Sequence, residues 1–254
     1  MAITVNAFDE EIAILARQLR IGSGIVEAYK QEEFLDPQQF TLALLRNLIR
    51  RRNEERAIRN QQAAGFENIK TLDGYDFEHI LLPNGFDIEG LCALDFIRNK
   101  QNLIMIGSSG TGKTHLATAL GVEACRQGFK PFYRRTVKFI HELTQSYERG
   151  TLDRFHKRLE QVDLIILDEW GYLPIHRDGM RLLFEVIADA YEKKSVIVTT
   201  NLPINEWNKS FGDDRLIHAL TDRLYHHGIV VKHEGSSYRL QHSIMYKAKA
   251  MEMT

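Results

Sequence analysis

The 254-residue sequence lacks several features that mark particular classes of protein. Its two cysteines, Cys92 and Cys125, are too few and too isolated for a disulfide framework or a thiolate metal site, so we expect a reducing compartment. The first residues, MAITVNAFDEE, contain no basic segment followed by an apolar one, and no stretch approaches about 18 apolar residues. These absences argue against secretion and membrane spanning, and we expect a soluble, cytoplasmic protein.

An excess of charge of either sign is also missing. The sequence has 33 Lys and Arg against 34 Asp and Glu, a formal net charge of -1 at pH 7. The total therefore carries no information about a polyanionic partner. Any binding of nucleic acid has to come from local basic patches, whose position matters more than their sum.

The first quarter of the chain has helical periodicity. Apolar residues recur at helical spacing through 9–63, with a break at Asp36–Pro37. We predict a small helical N-terminal domain with its linker over 1–67 and a second domain over 68–254. Six arginines lie in 46–59, and DNA contact, partner docking and simple solubility remain open for them.

From about residue 100, short apolar runs alternate with segments of helical periodicity. The predicted strands are 102–107, 130–135, 162–169, 195–201 and 228–233, and the predicted helices are 113–127, 136–149, 152–161 and 178–192. Such alternation is typical of a parallel sheet covered on both faces. We therefore predict an α/β domain with a five-stranded parallel sheet, preceded by the small all-helical domain.

The stretch GSSGTGKTH follows the first of these strands and opens a helix. It matches G-x-x-x-x-G-K-[ST], the P-loop pattern, which chance produces in roughly one chain in a hundred of this length. In a P-loop, backbone N–H groups face the β-phosphate, the lysine reaches the β- and γ-oxygens, and the threonine binds Mg²⁺. We predict a nucleoside triphosphate with Mg²⁺, contacted by Gly107, Ser108, Ser109, Gly110, Thr111, Gly112, Lys113, Thr114 and His115.

Two further predicted strands end in polar residues. Asp168 ends a buried strand, where its carboxylate can hold Mg²⁺ through water. Glu169 can orient and deprotonate a water that attacks the γ-phosphate, which favours hydrolysis over transfer to a second substrate; a carboxylate that only caps the turn is the alternative. Asn201 can bond this water or the γ-phosphate if its strand lies between the other two, although Asn also suits turns.

These features, with the motifs KTLDGYDF, DEWGYLP, TTNLPINEW, LTDRLYHHG and EGSSYRL, resemble the IstB/DnaC-like branch of the AAA+ ATPases. The resemblance covers about residues 71–254 and is closest to the IstB helpers of insertion-sequence transposition. It implies an AAA+ fold without a C-terminal lid domain and DNA-dependent hydrolysis of ATP. It assigns Lys113, Glu169 and Asn201 to catalysis, and Thr114 and Asp168 to Mg²⁺.

The same resemblance assigns roles to arginines. It implies that Arg223 is an arginine finger inserted into a neighbouring subunit's site, with Arg215 in reserve; a pair of Arg223 with Asp222 or Asp214 on a solvated helix is the alternative. Arg239 is a second arginine facing the nucleotide by the family pattern. A finger that acts in trans makes hydrolysis depend on assembly, so we expect a homo-oligomer in a ring or helical arrangement.

Basic residues are frequent around 136–161, where initiator-type AAA+ proteins carry an extra helix that faces a central channel. We expect contacts to the phosphates of double-stranded DNA, without a sequence code, from Arg134, Arg135, Lys138, Arg149, Arg154, Lys157 and Arg158. The alternative is a solvated helix whose charge is balanced by Glu142, Glu148 and Glu160.

The ten histidines, His226 and His227 above all, raise the question of a metal site. Adjacent histidines in a strand or helix point apart, and no acidic or thiolate partner lies at ligand spacing in the sequence. We therefore expect no metal other than Mg²⁺.

Three functions compete. The preferred one is an ATP-dependent helper of DNA transposition that oligomerises on duplex DNA, remodels it and recruits a transposase. A replicative helicase loader, with its helical N-terminal domain on the helicase, is the second. A small-metabolite P-loop kinase is the third, and Glu169, Asn201 and Arg223 together disfavour it.

Overall fold

The computed structural model describes residues 7–22, 24–31, 36–171, 177–207 and 214–241. The chain divides into two compact units, Met1–Arg59 and Asn60–Thr254. The domain boundary near residue 68 stays a prediction, because compactness alone does not test independent folding. None of the helices in the described ranges combines the length and apolar character needed to cross a bilayer.

The N-terminal region is helical, as expected. Its helices are α1 (Ala7–Gln18), α2 (Ile25–Gln31) and α3 (Pro37–Ala64). Helix α3 begins at the predicted break, where Asp36 Oδ1 accepts hydrogen bonds from the backbone N–H groups of Gln38 and Gln39 at 2.9 and 3.0 Å. An aspartate cap followed by proline at the first helical position is a favourable helix start, so the local sequence explains this boundary.

The second unit contains a six-stranded sheet. Its strands are β1 (Ile80–Leu81), β2 (Asn102–Gly107), β3 (Pro131–Arg135), β4 (Leu164–Asp168), β5 (Ser195–Thr200) and β6 (Gly228–His233), in the spatial order β1-β6-β2-β5-β4-β3. Strands β2 to β6 are parallel and lie within two residues of their predicted bounds. Strand β1 was not predicted, because two residues carry no periodic signal; it pairs antiparallel with β6.

Helices cover both faces of this sheet, which confirms the α/β prediction. They are α4 (Ile88–Ala93), α5 (Asp95–Arg98), α6 (Lys113–Arg126), α7 (Thr136–Glu148), α8 (Leu152–Glu160), α9 (Arg177–Ala190), α10 (Asp214–His226) and α11 (Tyr238–Gln241), with a 3₁₀ turn at Ile204–Glu206. Alternate strand residues enter two cores: Ile104 packs with α7 to α10, whereas Leu103 and Met105 pack with α4 to α6.

The strand order decides which loops meet. Because β5 lies between β2 and β4, the carboxyl ends of these three parallel strands are neighbours at one edge of the sheet. This is the position at which open α/β sheets bind ligands. The P-loop, the Asp168–Glu169 pair and Asn201 therefore meet there. Of the motif DEWGYLP, the residues Tyr172, Leu173 and Pro174 lie outside the described ranges.

Candidate functional site

The loop from Gly107 to Gly112 joins β2 to α6 and needs glycine for two separate reasons. A Cβ on Gly107 would lie 2.3 Å from the carbonyl oxygen of His233 on β6, so a larger residue does not fit. Gly112 has a φ of +91° directly before the first turn of α6, a backbone conformation that glycine adopts without strain. The loop thus brings backbone N–H groups and a helix N-terminus to one place, which suits an anion.

Lys113 is the cation of this loop. Its Nζ donates hydrogen bonds to the carbonyl oxygens of Gly107 and Ser108 at 2.7 and 2.6 Å. Burial lowers the pKa of Lys113 to about 8; Asp168 opposes this change, and Arg239 adds to it. Because burial makes the charged form costly, a phosphate beside Nζ would gain a strong charge-assisted contact.

Asp168 ends β4 as a buried carboxylate, with 2% of its surface exposed. Its Oδ1 accepts hydrogen bonds from the hydroxyls of Thr114, at 2.8 Å, and Thr199, and its Oδ2 accepts one from Tyr133 at 2.9 Å. Three hydroxyl donors offset the cost of burying the charge. The hydroxyl of Thr114 and the carboxylate of Asp168 are neighbouring oxygen donors of the kind that Mg²⁺ prefers, so these residues fit the ion that the sequence predicts.

Glu169 departs from the strand direction. Its φ is +60°, a left-handed conformation that costs a non-glycine residue roughly 1–2 kcal/mol. The Thr199 hydroxyl accepts a hydrogen bond from the N–H of Glu169 at 3.1 Å, and this contact helps to hold the turn. The side chain of Glu169 is 47% exposed and lies 3.6 Å from the guanidinium of Arg135. The buried Asp168 and the accessible Glu169 are thus prepared for different tasks.

Two adjacent arginines of β3 leave the sheet on opposite faces, since strand side chains alternate. The guanidinium of Arg134 stacks over Phe132 at 4.5 Å and donates to Glu142 at 3.0 Å, with only 13% of the side chain exposed. Arg135 instead lines a cavity at the carboxyl edge of the sheet and pairs with Glu67 at 2.7 Å, besides its contact with Glu169. Arg134 is thus engaged inside the protein, whereas the side chain of Arg135 stays 49% exposed, and contact of either residue with DNA stays a prediction.

The P-loop, Asp168, Glu169 and Arg135 line one cavity of about 720 Å³. Of the predicted site residues, its lining includes Ser109, Gly110, Thr111, Gly112, Lys113, Thr114, His115, Asp168, Glu169, Asn201 and Arg239. Tyr133 and Thr199 line it as well and were not singled out in the sequence. A pattern for them did exist: Tyr133 has the same strand parity as Arg135, and Thr199 precedes the tip that carries Asn201.

Tyr75 and His233 contact carbonyl oxygens of the P-loop. The sequence analysis did not predict either residue at the site. His233 is 4% exposed, and its Nδ1 lies 3.2 Å from the carbonyl oxygen of Thr111, to which the Nδ1–H tautomer donates. Burial lowers the pKa of His233 to about 4, so its ring is neutral at pH 7. The Tyr75 hydroxyl lies 3.4 Å from the Gly112 carbonyl oxygen, to which it donates. Tyr75 stands in the motif KTLDGYDF, and this was the available signal.

The two predicted nucleotide arginines have different positions. Arg239 lines the cavity, next to Tyr238, whose N–H donates to the carbonyl oxygen of Gly110 at 3.1 Å. Arg223 lies on α10, where its guanidinium donates to the carbonyl oxygen of Ala219 at 2.8 Å and stacks on Phe184 at 4.8 Å. It is not among the described residues that line its own chain's cavity. That position leaves a role toward a second chain open.

The remaining basic residues of the sequence analysis are on the outside of α7, α8 and their connection. All five are exposed: Lys138, Arg149, Arg154, Lys157 and Arg158. Helix α8 buries Leu159 and half-buries Leu152 and Phe155, which turns its charged side toward solvent. Since Glu142 is engaged by Arg134, it is not available to balance this surface.

The expectation that His226 and His227 point apart is wrong. Their ring centroids are 4.3 Å apart. The expectation assumed that both residues belong to one helix or strand, but His226 is the last residue of α10 and His227 lies outside it, one residue before β6. The change of backbone direction brings the rings together.

The site combines a P-loop after β2, a buried aspartate and an accessible glutamate at the end of β4, and the tip of β5 between them. This combination defines a P-loop nucleotide-binding protein of the AAA+ type. The chain belongs to the family of IstB-like ATP binding proteins, whose model matches residues 24–246. It is 34% identical over 211 residues to a candidate ATP-binding protein of insertion sequence IS232 from Bacillus thuringiensis subsp. berliner, which covers 79% of this chain and 83% of that protein.

Solved structures support the fold. A DnaI structure aligns with a TM-score of 0.52 and 18% identity over 67% of this chain and 90% of that one. A replication initiator DnaA bound to AMPPCP and single-stranded DNA aligns with a TM-score of 0.51 and 22% identity over 72% of this chain. The present chain spans about half of that DnaA, 54% of its length. At these identities the likeness concerns the fold alone.

Proposed function

We propose that the chain is an ATPase that assembles on double-stranded DNA, remodels it and recruits a transposase, with hydrolysis of ATP dissolving the assembly. The observation that carries this proposal is the pairing of a buried, hydroxyl-bonded Asp168 with an exposed Glu169 beside the P-loop lysine. The family to which the chain belongs, and the insertion-sequence relative within it, support the link to transposition.

In this proposal the P-loop N–H groups and Lys113 bind the β- and γ-phosphates. Thr114 and Asp168 would hold Mg²⁺, which when bound neutralises charge on the phosphate oxygens. Glu169 orients a water and accepts its proton, for which its exposure and its position outside the hydroxyl network are suited. Asn201, exposed at the tip of β5, bonds the same water or the γ-phosphate.

The position of Arg223 supports the proposed assembly. Its guanidinium lies on α10 and is not among the described residues that line the cavity of its own chain. In the proposal, a second chain supplies the γ-phosphate that it neutralises. The half-buried stacking on Phe184 favours a guanidinium of restricted orientation over a freely solvated one. Hydrolysis would then require two chains, and occupancy of the shared site would control the stability of the oligomer.

DNA binding is supported by the exposed basic side chains of α7, α8 and their connection. Because these side chains are exposed and positively charged, we expect them to bind phosphates, and phosphate contacts carry no sequence information. A replicative helicase loader would use the same nucleotide chemistry. The two functions differ in the nucleic acid preferred and in the partner protein.

The experiment compares wild type, Glu169→Gln and the control Glu89→Gln, which changes an exposed glutamate on α4. We expect Glu169→Gln to bind ATP, to hydrolyse it about 10² to 10⁴ times more slowly, and to stay assembled on duplex DNA. Phosphate release measures the rate of hydrolysis. Electron microscopy and light scattering with ATP, on duplex and on single-stranded DNA, measure the assembly.

Each outcome is decisive. Ordered assemblies on duplex DNA support the proposal, whereas preference for single strands favours a helicase loader. Hydrolysis at the wild-type rate by Glu169→Gln removes the water-activating role. A particle mass that ATP leaves unchanged, with and without DNA, rules out the proposed assembly.

A further inference from the structure

Glu192, His226 and His227 form a cluster outside the nucleotide cavity. One ring nitrogen of each histidine and one carboxylate oxygen of Glu192 all lie within 4.8 Å of one another. The Nε2 of His227 is 3.1 Å from Oε1 of Glu192, and the two imidazole planes meet at 74°. Three potential metal ligands from two distant parts of the chain therefore converge on one point of the surface.

The fold holds this convergence in place. Glu192 follows the end of α9 with a φ of +57°, a left-handed turn that leads the chain toward β5. His227 lies between α10 and β6, and its carbonyl oxygen accepts a hydrogen bond from the N–H of Asn102 at 2.8 Å. Both segments are thus attached to the central sheet, so the side chains meet through the tertiary structure and independently of any ion.

A neighbouring phenol orients one of the rings. The hydroxyl oxygen of Tyr191 is 2.7 Å from Nδ1 of His226. In the tautomer in which Nδ1–H donates to this oxygen, Nε2 of His226 carries the lone pair that a metal requires. Metal-binding histidines commonly have such an outer hydrogen bond, which fixes the ring and makes it more basic.

We propose that Glu192, His226 and His227 bind a divalent transition-metal ion of the Zn²⁺ class. Two imidazole nitrogens and one carboxylate oxygen are typical ligands of this class, and water completes a four-coordinate site. Zinc–ligand bonds of about 2.0–2.1 Å place ligand atoms roughly 3.4 Å apart in a tetrahedron. The three ligand atoms, which now lie within 4.8 Å of one another, can reach this separation by side-chain rotation. Glu192 and His226 are exposed and His227 is 38% exposed, so their side chains have room to rotate.

The ligand set distinguishes this site from the nucleotide site. Mg²⁺ prefers oxygen donors throughout, whereas nitrogen donors favour zinc and its neighbours. An ion here would join the end of α9 to the junction of α10 and β6, one helical turn from Arg223. The proposal rests on the geometry of the three ligands and does not require the function proposed above.

The test uses the full chain without an affinity tag, stripped of metal by a chelator and free of nucleotide. Zn²⁺ is titrated in competition with a chromophoric chelator, and Co²⁺ is added to record the visible absorption that imidazole ligation produces. We expect one ion per chain. Glu192→Gln and His226→Asn should each weaken Zn²⁺ binding by at least about tenfold. His218→Asn is the matched control, since His218 is an exposed histidine on the same helix.

Thermal unfolding gives a second readout. Zn²⁺ should raise the unfolding temperature of wild type and His218→Asn, because an ion that binds the folded state stabilises it by mass action, and should leave Glu192→Gln unchanged. The proposal is overturned if wild type binds Zn²⁺ no more tightly than Glu192→Gln and His226→Asn do. It is equally overturned if His218→Asn loses as much binding as they do.

Discussion

The carboxyl edge of the sheet and the outer side of α7 and α8 both carry charge, but in different physical settings. At the edge, Asp168 is 2% and Lys113 is 9% exposed, and their polar atoms are hydrogen-bonded. On the helices, Lys138, Arg154 and Lys157 are exposed. Buried groups depend on one another, because losing one partner leaves another unsatisfied, whereas exposed charges act almost independently and are screened by salt.

Arg223 is the exception to this contrast. It lies on a helix, yet we expect its substitution to have the largest effect on hydrolysis. Arg223→Ala should lower hydrolysis by the assembled protein by about 10³-fold or more, since the transferring phosphoryl group loses its neutralising charge. Nucleotide binding by the single chain should be unchanged. Phosphate release as a function of protein concentration measures this, with Arg126→Ala, the loss of an exposed arginine on α6, as the control. Full activity of Arg223→Ala would transfer the role to Arg215.

Lys113→Ala tests the edge itself. Removing a buried charge-assisted contact to phosphate costs about 3 kcal/mol, so the affinity for ATP should fall by roughly 100-fold. Calorimetric titration with ATP measures the change. Lys157→Ala, the loss of an exposed lysine on α8, should leave the affinity for ATP within about twofold of the wild-type value, because exposed charges contribute little. Equal losses in both variants would contradict the contrast between the two regions.

His233 provides a pH test of the same contrast. Its pKa is lowered from 6.5 to about 4 in the folded protein, so between these values the unfolded chain binds the extra proton. Stability is therefore full above about pH 6.5 and falls as the pH decreases toward 4, by about 2 kcal/mol between pH 7 and pH 5. Urea unfolding at both pH values should show this additional loss in wild type and in the exposed control His218→Asn. His233→Asn should lack it, and an identical pH dependence in all three proteins would contradict burial as the cause.

The smallest effects are expected on α7 and α8. The logarithm of the DNA affinity should fall with the logarithm of salt concentration, with a slope of about -0.9 per phosphate neutralised. Arg154→Ala and Lys157→Ala should each make this slope less steep by about 0.9. Arg126→Ala, the loss of an exposed arginine on α6, is the control for fluorescence titrations. A wild-type affinity independent of salt would exclude phosphate contacts by this surface.

Much of the second unit, Asn60–Thr254, could be predicted from local sequence pattern. The five parallel strands were recognised because buried runs such as LIILD are short, apolar and followed by turn residues. The P-loop was recognised because its glycines and its lysine have a spacing that backbone geometry demands. Strand parity was an available signal for Tyr133 and Thr199, but a strand pattern does not state which strands are neighbours. It therefore could not show that these residues and His233 meet at one site.

Arg134 and Arg135 illustrate the same limit. Both belong to a basic stretch and have the same charge, yet alternation along β3 sends one into the packing against Phe132 and Glu142 and the other into the nucleotide cavity. The alternation could be deduced from a strand, but the identity of each face depends on what covers the sheet. The basic pattern alone therefore did not distinguish the buried Arg134 from the half-exposed Arg135.

The sequence by itself determined the succession of strands and helices along the chain, the phosphate-binding loop and the carboxylates at the end of β4. These features depend on periodicity, chain flexibility and charge within a few residues. Only the tertiary structure decided that Thr114 and Tyr133 donate to Asp168, that Arg135 lies beside Glu169, and that Glu192 meets two histidines. Those meetings join residues far apart along the chain. They depend on strand order and on the direction in which each connection returns, and no local pattern contains that information.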